Sequence, residues 1–451
     1  MLNFLHLSDL HIDTENAGGQ LDRDERIRAA LMSDLRLGEF GPFDGILVTG
    51  DIARHGRAKE FERANGWLEE VRTATGSSPE ALFVVPGNHD VNRDIVRPES
   101  SLWVLHERLR EPKAAEARKR SLATLLQDPT QDFLAALEEY NTFASEFDCP
   151  TTRAEMAWVQ TLSSDRLLDD GTAVRIHGLN SALISDGNDA KGNLYLSEFQ
   201  FHHLDEDSGY VNIALCHHPP SHLIDEGEVQ DYFRARTQVV LTGHEHIGRH
   251  ELVGGVLRVS AGAVHPDRAE AGWKPCYHVL RMSVRNAEVR ELLVEVETRE
   301  WSEETLRFGP HLEPNGNTRR GYVIGLSPRK AVAPSPPSSA PGWSRQPEGP
   351  DLAPSTLREA MATATNLDEY RAARRKMIVH FFRLAPIQRF QAAIAAGVWE
   401  DGDDNLPAQT RWPRVFERAE KAQRLAQLWN EVAREDATLA GQTNPFEGYQ
   451  R

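Results

Sequence analysis

The chain has 451 residues, 40% of them hydrophobic, a net charge of −17 and a pI near 5.5. That length calls for two domains with real cores, and the acidic balance opposes unspecific adhesion to a polyanion, which relies on Lys and Arg neutralising phosphates. It leaves room for a local basic groove but tilts expectation toward small substrates. Cys149, Cys216 and Cys276 have no paired spacing, which excludes a disulfide framework and fits a reducing compartment. No apolar run approaches the roughly 18 residues of a membrane span, and the amino terminus enters a strand without a basic and apolar leader, so a cytoplasmic protein with no membrane partner is expected.

In chain order, the apolar segment 3–7 predicts a first strand that ends in Ser8, Asp9, Leu10, His11. If extended backbone continues there, Asp9 and His11 share a face. Helical spacing follows over 27–37, then a strand over 45–48 ending in Thr49, Gly50, Asp51. A second helix over 60–73 sets Phe61, Ala64, Leu68 and Val71 on one side, and the strand 81–85 runs into Gly87, Asn88, His89, Asp90. From about 97 to 148 comes a long insertion rich in Glu, Arg, Leu and Ala, with one helix over 102–109 and another from Leu134 to Ala144. Placed directly after that loop, it is either a cap that selects substrate or a peripheral decoration.

Strands resume over 173–177. The strand 211–215 ends in Cys216, His217, His218, Pro219, and the strand 239–241 ends in Thr242, Gly243, His244, Glu245, His246. Segments 257–260, 277–284 and 289–296 alternate as antiparallel strands and are expected to complete a second sheet facing the first. His265 is either a pocket residue or, as a lone histidine more often is, a structural one.

Pro, Ser, Ala and Gly dominate 327–355, which reads as an extended, semi-rigid linker closing a first domain over 1–326. From 356 to 451 a small helical domain is expected, with helices over 370–382, 386–396 and 413–432. Val415, Ala419, Ala422, Ala426, Trp429 and Ala433 keep helical spacing in the last of these. Arg371, Arg374, Arg375 and Lys376 form a basic cluster and Glu400, Asp401, Asp403 and Asp404 an acidic one. These are either solvated faces or complementary surfaces for self-association or docking to a like domain.

Strand ends that deliver Asp, His or Asn in succession are what a composite metal site at a sheet edge requires. In this order, Asp-x-His, Gly-Asp, Gly-Asn-His-Asp, His and Gly-His-x-His, the motifs resemble the calcineurin-like metallophosphoesterases over roughly the first 300 residues. The resemblance implies a four-layer αββα sandwich of α/β class, here with a helical insertion and followed by a small all-α domain. It also implies one metal held by Asp9, His11, Asp51 and His246, and a second held by Asp51, Asn88, His217 and His244, with Asp51 bridging. His218 falls beside the ligand in the His-x-Pro pattern, as a support for the ligand, a packing residue or a contact for substrate.

Imidazole, carboxylate and amide ligands together suit Mn, Fe, Ni or Zn better than Mg or Ca, and Mn is the first choice. Two such ions about 3.5 to 4 Å apart activate a bridging hydroxide for in-line attack on phosphorus. His89 is then free to protonate the leaving oxygen, with Asp90 orienting its ring. Where the protein phosphatases of the family continue Asp-Arg-Gly, this chain has Asp51, Ile52, Ala53, Arg54, His55, Gly56, which turns away from a protein phosphatase. Arg54 and His55 are either donors to a substrate phosphate or ordinary loop residues.

The expected activity is therefore a dinuclear-metal phosphodiesterase acting on a nucleotide-type phosphodiester. The rivals are a DNA or RNA nuclease effector of a bacterial defence module and a non-catalytic scaffold stabilised by metal. The tail resembles the small effector-associated adaptor domains of bacterial conflict systems on Phe381, Phe382, Leu384, Trp399, Glu400, Asp401, Phe416, Arg418, Ala419, Leu425, Leu428 and Trp429. That resemblance implies a protein partner that recruits or activates the esterase.

Overall fold

The computed structural model describes residues 1–14, 23–38, 40–98, 100–111, 114–128, 132–163, 165–201, 209–264, 273–286, 289–326 and 354–447. The expected linker, apart from its last two residues, and His265 lie outside them.

The chain begins β1 (Leu2–Leu7), α1 (Arg23–Leu37), β2 (Gly45–Val48), α2 (Ala58–Ala74), β3 (Leu82–Val84). The three strands are parallel neighbours, with Leu5 beside Ile46 and Leu47 beside Phe83. They read as unbroken apolar runs because both faces of a parallel sheet are covered. α2 buries Phe61, Ala64, Trp67, Leu68 and Val71 at helical spacing. Its first turn is closed by Glu60, whose Oε2 accepts from the amides of His55 (2.9 Å) and Arg57 (3.1 Å).

The insertion holds α3 (Ser101–Arg110), α4 (Ala115–Gln127) and α5 (Glu138–Ser145). The helix expected from Leu134 is instead a 3-10 turn, Ala135–Leu137, leading into α5, and α4 had no expectation at all. After it come β4 (Trp158–Thr161), β5 (Ala173–Leu179), β6 (Tyr210–Cys216), α6 (Glu226–Arg236), β7 (Val239–Thr242), β8 (Arg249–Val253) and β9 (Val256–Ser260). These strands form a second sheet in the order β4-β5-β6-β7-β9-β8. Then follow β10 (Cys276–Asn286), β11 (Arg290–Ser302), β12 (Arg307–Pro310) and β13 (Arg320–Gly325).

The last four strands correct an expectation. Rather than completing the second sheet they extend the first, in the order β12-β11-β10-β1-β2-β3 with β13 beside β11. β10 lies antiparallel on the open side of β1, His278 opposite His6. Alternating polarity says that a strand has one covered face, but not which neighbour supplies its hydrogen bonds. One continuous core runs through both sheets, from Leu5 and Val48 to Ile176, Leu215 and Leu241. The result is the expected metallophosphoesterase sandwich.

The tail comprises α7 (Pro354–Arg383), α8 (Pro386–Ala395), α9 (Ala408–Lys421) and α10 (Leu425–Glu435). It has its own core, including Met377, Phe381, Val415, Leu428 and Trp429. The single helix expected over 413–432 is two helices. Gln423 sits at φ 55° and the Arg424 amide reaches back to the Ala419 carbonyl at 2.7 Å, which ends α9 in a left-handed cap. The apolar spacing survived the break because both helices face one core. The acidic cluster is partly consumed at home, since Arg418 Nη2 donates to Asp403 Oδ1 at 2.5 Å. Among the described residues no helix is long and apolar enough to cross a membrane.

α7 also covers an edge of the sandwich. β3 and β4 are the outermost strands of their sheets on this side, and edge strands expose unpaired backbone groups. Arg375 is 3% exposed, donates to the carbonyls of Leu82, Glu80 and Phe147, and lies 4.1 Å from the centre of the Phe83 ring. Around it Arg374 pairs with Asp148 (2.7 Å) and Glu420 (2.6 Å), Asp368 with Arg175 (2.7 Å), and His380 with Glu80 (3.0 Å). Part of the basic cluster therefore faces inward. Arg375→Met removes every donor while keeping bulk, leaving buried carbonyls unmet. An unmet buried acceptor costs about 1–3 kcal/mol, so thermal unfolding should show a loss of about 2–4 kcal/mol, and an unchanged melting temperature would refute this account of the edge.

Candidate metal centre

The loops at the carboxyl ends of β1, β2, β3, β6 and β7 meet at one end of the sandwich. The chain leaves β1 beside the chain leaving β2: the Asp9 amide donates to the Gly50 carbonyl (3.0 Å), that of His11 to Asp51 (2.9 Å) and that of Ile12 to Ile52 (2.9 Å). Extended geometry does not persist there. Asp9 has φ 54° and His11 φ 43°, so their shared direction comes from paired left-handed residues rather than strand alternation. Asp51 (51°), His244 (66°) and His246 (55°) are also left-handed. Side-chain-bearing residues avoid this region, at a cost of about 1 kcal/mol or more each, and persist there only where surrounding structure imposes it.

Two glycines make the convergence sterically feasible. A Cβ on Gly87 would lie 2.2 Å from Asp51 Oδ1, and one on Gly243 would lie 2.0 Å from Ser8 Oγ and 2.7 Å from Asp9 Oδ2. The motif glycines thus admit the neighbouring loop's carboxylate.

The candidate ligands assemble as two adjoining groups. In the first, His11 Nε2 lies 3.1 Å from Asp51 Oδ2 and His246 Nε2 lies 3.2 Å from Asp9 Oδ1. In the second, Asn88 Oδ1 has His217 Nε2 at 3.1 Å, His244 Nδ1 at 3.1 Å and His218 Nε2 at 3.2 Å around it, while His217 Nε2 also lies 3.3 Å from Asp51 Oδ2. Asp51 belongs to both. His217 Nδ1 is taken by the Thr49 carbonyl at 2.7 Å, so Nε2 is the atom presented to the cluster. His218 is fully buried, with Nδ1 2.9 Å from Ser181 Oγ, and turns Nε2 toward Asn88. That position makes it a neighbour of the second group rather than a surface contact for substrate.

These residues fit cations. Asp9 and Asp51 are buried carboxylates among imidazoles, and buried charge needs a counter-charge. Asp9 Oδ1 is buried against the His246 ring, whose Nε2 lies 3.2 Å away. Burial alone would lower His217, yet the charges of Asp51 and then Asp9 outweigh it and hold the ring up at about 9. Burial and the His217 charge push His244 down to about 3. A proton on His217 thus supplies charge where a divalent ion, held by the same lone pairs, would supply more.

His89 stands beside this set, its ring centre 4.6 Å from that of His11. Its amide donates to Asp51 Oδ1 at 2.7 Å, and its Nδ1 lies 2.9 Å from the Arg54 carbonyl oxygen. The expectation that Asp90 orients this ring is corrected. Asp90 Oδ1 accepts from the Ala53 amide and Oδ2 from the Gly87 amide, each at 2.8 Å. Asp90 ties two site loops together, and the backbone of Arg54 holds the ring. A carboxylate one residue away invites the pairing in sequence, but the turn directs it back into its own loop. His55 is likewise committed elsewhere: its Nδ1 lies 2.9 Å from Glu60 Oε1 at the head of α2. The Arg54 side chain is 30% exposed and 4.0 Å from Asp13.

Sequence reasoning missed His222, which sits four residues beyond His218, is 6% exposed and has its ring centre 4.6 Å from that of His244. The signal for it is the spacing His218-x-x-x-His222, which lies outside the His-x-Pro pattern at 217–219. The insertion supports the site from behind: the Asn92 amide, two residues past Asp90, donates to the Ala136 carbonyl at 2.8 Å. α3 sends His106 and Arg110 to Asp186 (3.3 and 2.6 Å), and Arg110 also to the Ile184 carbonyl (2.5 Å), bracing the segment 184–193.

A calcineurin-like phosphoesterase family model matches residues 2–248, more than half of the chain, and the protein belongs to that family of metallophosphoesterases. A GTPase-associated adaptor domain model matches residues 373–434 in the tail. Among curated proteins, the uncharacterized metallophosphoesterase-like protein YydB of Bacillus subtilis is 25% identical over 259 residues, 54% of this chain and 49% of that protein. The chain thus spans about half the length of that relative. Solved structures with a similar fold include a purple acid phosphatase from yellow lupin seeds, at 10% identity and a TM-score of 0.37, covering 76% of this chain and 57% of that one. A Vps29 of Entamoeba histolytica matches at 10% identity and a TM-score of 0.28, covering 72% and 100%.

Proposed function

We propose that this protein is a dinuclear-metal phosphodiesterase acting on nucleotide-type phosphodiesters. The observation that carries the reading is the pair of donor groups sharing Asp51, with His89 beside them. Asp9, His11, Asp51 and His246 would hold one divalent ion, and Asp51, Asn88, His217 and His244 the other, with Mn favoured by the mixed donors. When bound, such a pair neutralises charge on phosphoryl oxygens and lowers the pKa of bound water.

The chain's own groups do the rest. His89 gives its Nδ1 hydrogen to the Arg54 carbonyl, so a proton passed to the leaving oxygen moves at Nε2 and comes from the imidazolium form. The His89 amide fixes the Asp51 carboxylate, and Asp90 locks the loops that carry both. A structural metal site has no use for such a group beside it, which speaks against a scaffold.

The tail supports a protein partner as a further proposal, consistent with its adaptor-domain match. The domain plan, a catalytic unit over 1–326, a linker over 327–355 and an adaptor over 356–451, is part of the same proposal. So is a reducing, cytoplasmic setting, for which three buried free cysteines speak.

The test is a substrate panel with Mn-loaded protein: bis-p-nitrophenyl phosphate, cyclic AMP, single-stranded DNA, duplex DNA and RNA. Metal-dependent cleavage of the small diesters alone is expected. Cleavage of the polymers at higher kcat/KM would replace the reading with a nuclease, and no turnover of any member would overturn it.

A further inference from the structure

β5 and β6 run parallel, with Leu179 paired to Cys216. Parallel pairing carries both chains past their strand ends side by side, so Ser181, two residues beyond Leu179, meets His218, two beyond Cys216. Ser181 Oγ accepts from the His218 amide at 3.0 Å and lies 2.9 Å from His218 Nδ1. On the other side of the ring, His218 Nε2 lies 3.2 Å from Asn88 Oδ1. Ser181, His218 and Asn88 are all buried. Together they form a chain of polar side chains from the second sheet to the loop after β3.

Donor counting fixes the direction of that chain. The Ser181 hydroxyl has one hydrogen to give, and its oxygen already accepts from the His218 amide. Cys216 Sγ, the other group near the hydroxyl, is a weak acceptor and directs its own hydrogen to the His218 carbonyl at 3.3 Å. Nδ1 is therefore the acceptor for the serine hydrogen, since a buried hydroxyl is costly to leave unmet. With Nδ1 accepting, the hydrogen of the neutral ring sits on Nε2 and points at Asn88 Oδ1. His217 is oriented in the opposite sense. Its Nδ1 donates to the Thr49 carbonyl, so its Nε2, 3.1 Å from the same amide oxygen, is the nitrogen left for a cation.

We infer that Ser181 and His218 are positioning residues for Asn88, and through it for the second ion of the proposed pair. The inference rests on the dinuclear reading above and gives a task to two residues outside its ligand set. An amide presents an oxygen at one end and an NH2 at the other, and only the oxygen serves a divalent cation. A donor at His218 Nε2 attracts the oxygen and opposes the NH2, so it selects the rotamer in which Oδ1 looks into the second donor group. One lone pair of Oδ1 accepts from His218 and the other remains for the ion. Partners that orient a ligand in this way are worth about 10- to 100-fold in metal affinity.

The experiment titrates Mn into the whole metal-free chain by calorimetry. His218→Leu should raise one of the two Kd values by about 10- to 100-fold and leave the other nearly unchanged. His218→Gln, whose amide nitrogen can donate to the same oxygen, should recover part of the loss. Ser181→Ala, the smaller change, should raise the same Kd by a lesser factor. A residue that only filled space would lower the melting temperature of the metal-free protein without splitting the two constants. The ring itself is read by NMR on isotope-labelled histidine with Zn in place of Mn: the resonance missing from the His218→Gln spectrum should report a protonated Nε2. Loss of that proton on Zn loading would make His218 a ligand and overturn the inference. So would unchanged Kd values in a folded His218→Leu protein or, should that variant not fold, in Ser181→Ala. A wild type that binds no pair of ions would instead overturn the dinuclear reading, and one that shows the split constants but hydrolyses no diester would remove the phosphodiesterase reading and leave this inference standing.

Discussion

Asp51→Asn is expected to lower metal-dependent hydrolysis of bis-p-nitrophenyl phosphate by on the order of 10³-fold, because its carboxylate adjoins both donor groups and would serve both proposed ions, whose charge stabilisation is worth several kcal/mol. The substitution is informative because it spares the fold. Asp51 sits at φ 51°, and asparagine is among the few side-chain-bearing residues that enter the left-handed region readily. Its amide oxygen can still accept from the His89 amide, now 2.7 Å from Asp51 Oδ1. What it removes is the charge that, after burial, most strongly raises His217. Thermal unfolding with and without Mn separates the causes. The wild-type melting temperature should rise by several degrees with metal, since saturating a site at a hundred times its Kd adds about 2.7 kcal/mol, and the rise should shrink sharply in the variant. A variant that keeps both its activity and its metal shift would remove Asp51 from the bridge.

His89→Ala should cost about 10²- to 10⁴-fold, the usual worth of a positioned proton donor, and the loss should depend on the leaving group. A nucleoside alkoxide needs a proton as it departs, whereas p-nitrophenolate does not. The ratio of variant to wild-type kcat is therefore expected to be much smaller for a dinucleotide than for bis-p-nitrophenyl phosphate. His89 makes no metal contact in the proposed arrangement, so metal affinity measured by calorimetry should change little. Equal losses on both leaving groups would assign His89 to charge stabilisation rather than proton transfer. Removing the ring also frees the Arg54 carbonyl that accepts from it, and His89→Gln, which can donate to the same oxygen, controls for that.

Much of the framework in both sheets could be read from local pattern. The apolar runs at 45–48 and 239–241 and the helical faces of α1 and α2 are set by spacing against a covered surface, and the structure places them within a few residues of the expectation. The insertion was harder. A short 3-10 turn before α5 and the mixed composition of α4 leave little periodicity to detect. In the tail, an apolar repeat continued across a left-handed turn at Gln423, and period alone cannot see a break that keeps the same face buried.

The site divides the same way. Which residue types meet was legible because each candidate donor directly follows a strand and parallel strands bring their carboxyl ends to one edge. How those residues meet was not. Five donors reach the cluster through left-handed backbone, and Asp90 and His55 turn to partners in their own loops and in the head of α2. The membership of β10 in the first sheet and the burial of Arg375 against the β3 edge both join residues far apart in the chain. Residue type and local spacing sufficed for the strands that carry the donors, for the donor chemistry and for the family. Ring partners and sheet membership waited on the assembled fold, because hydrogen-bond direction is set by which segments it brings side by side.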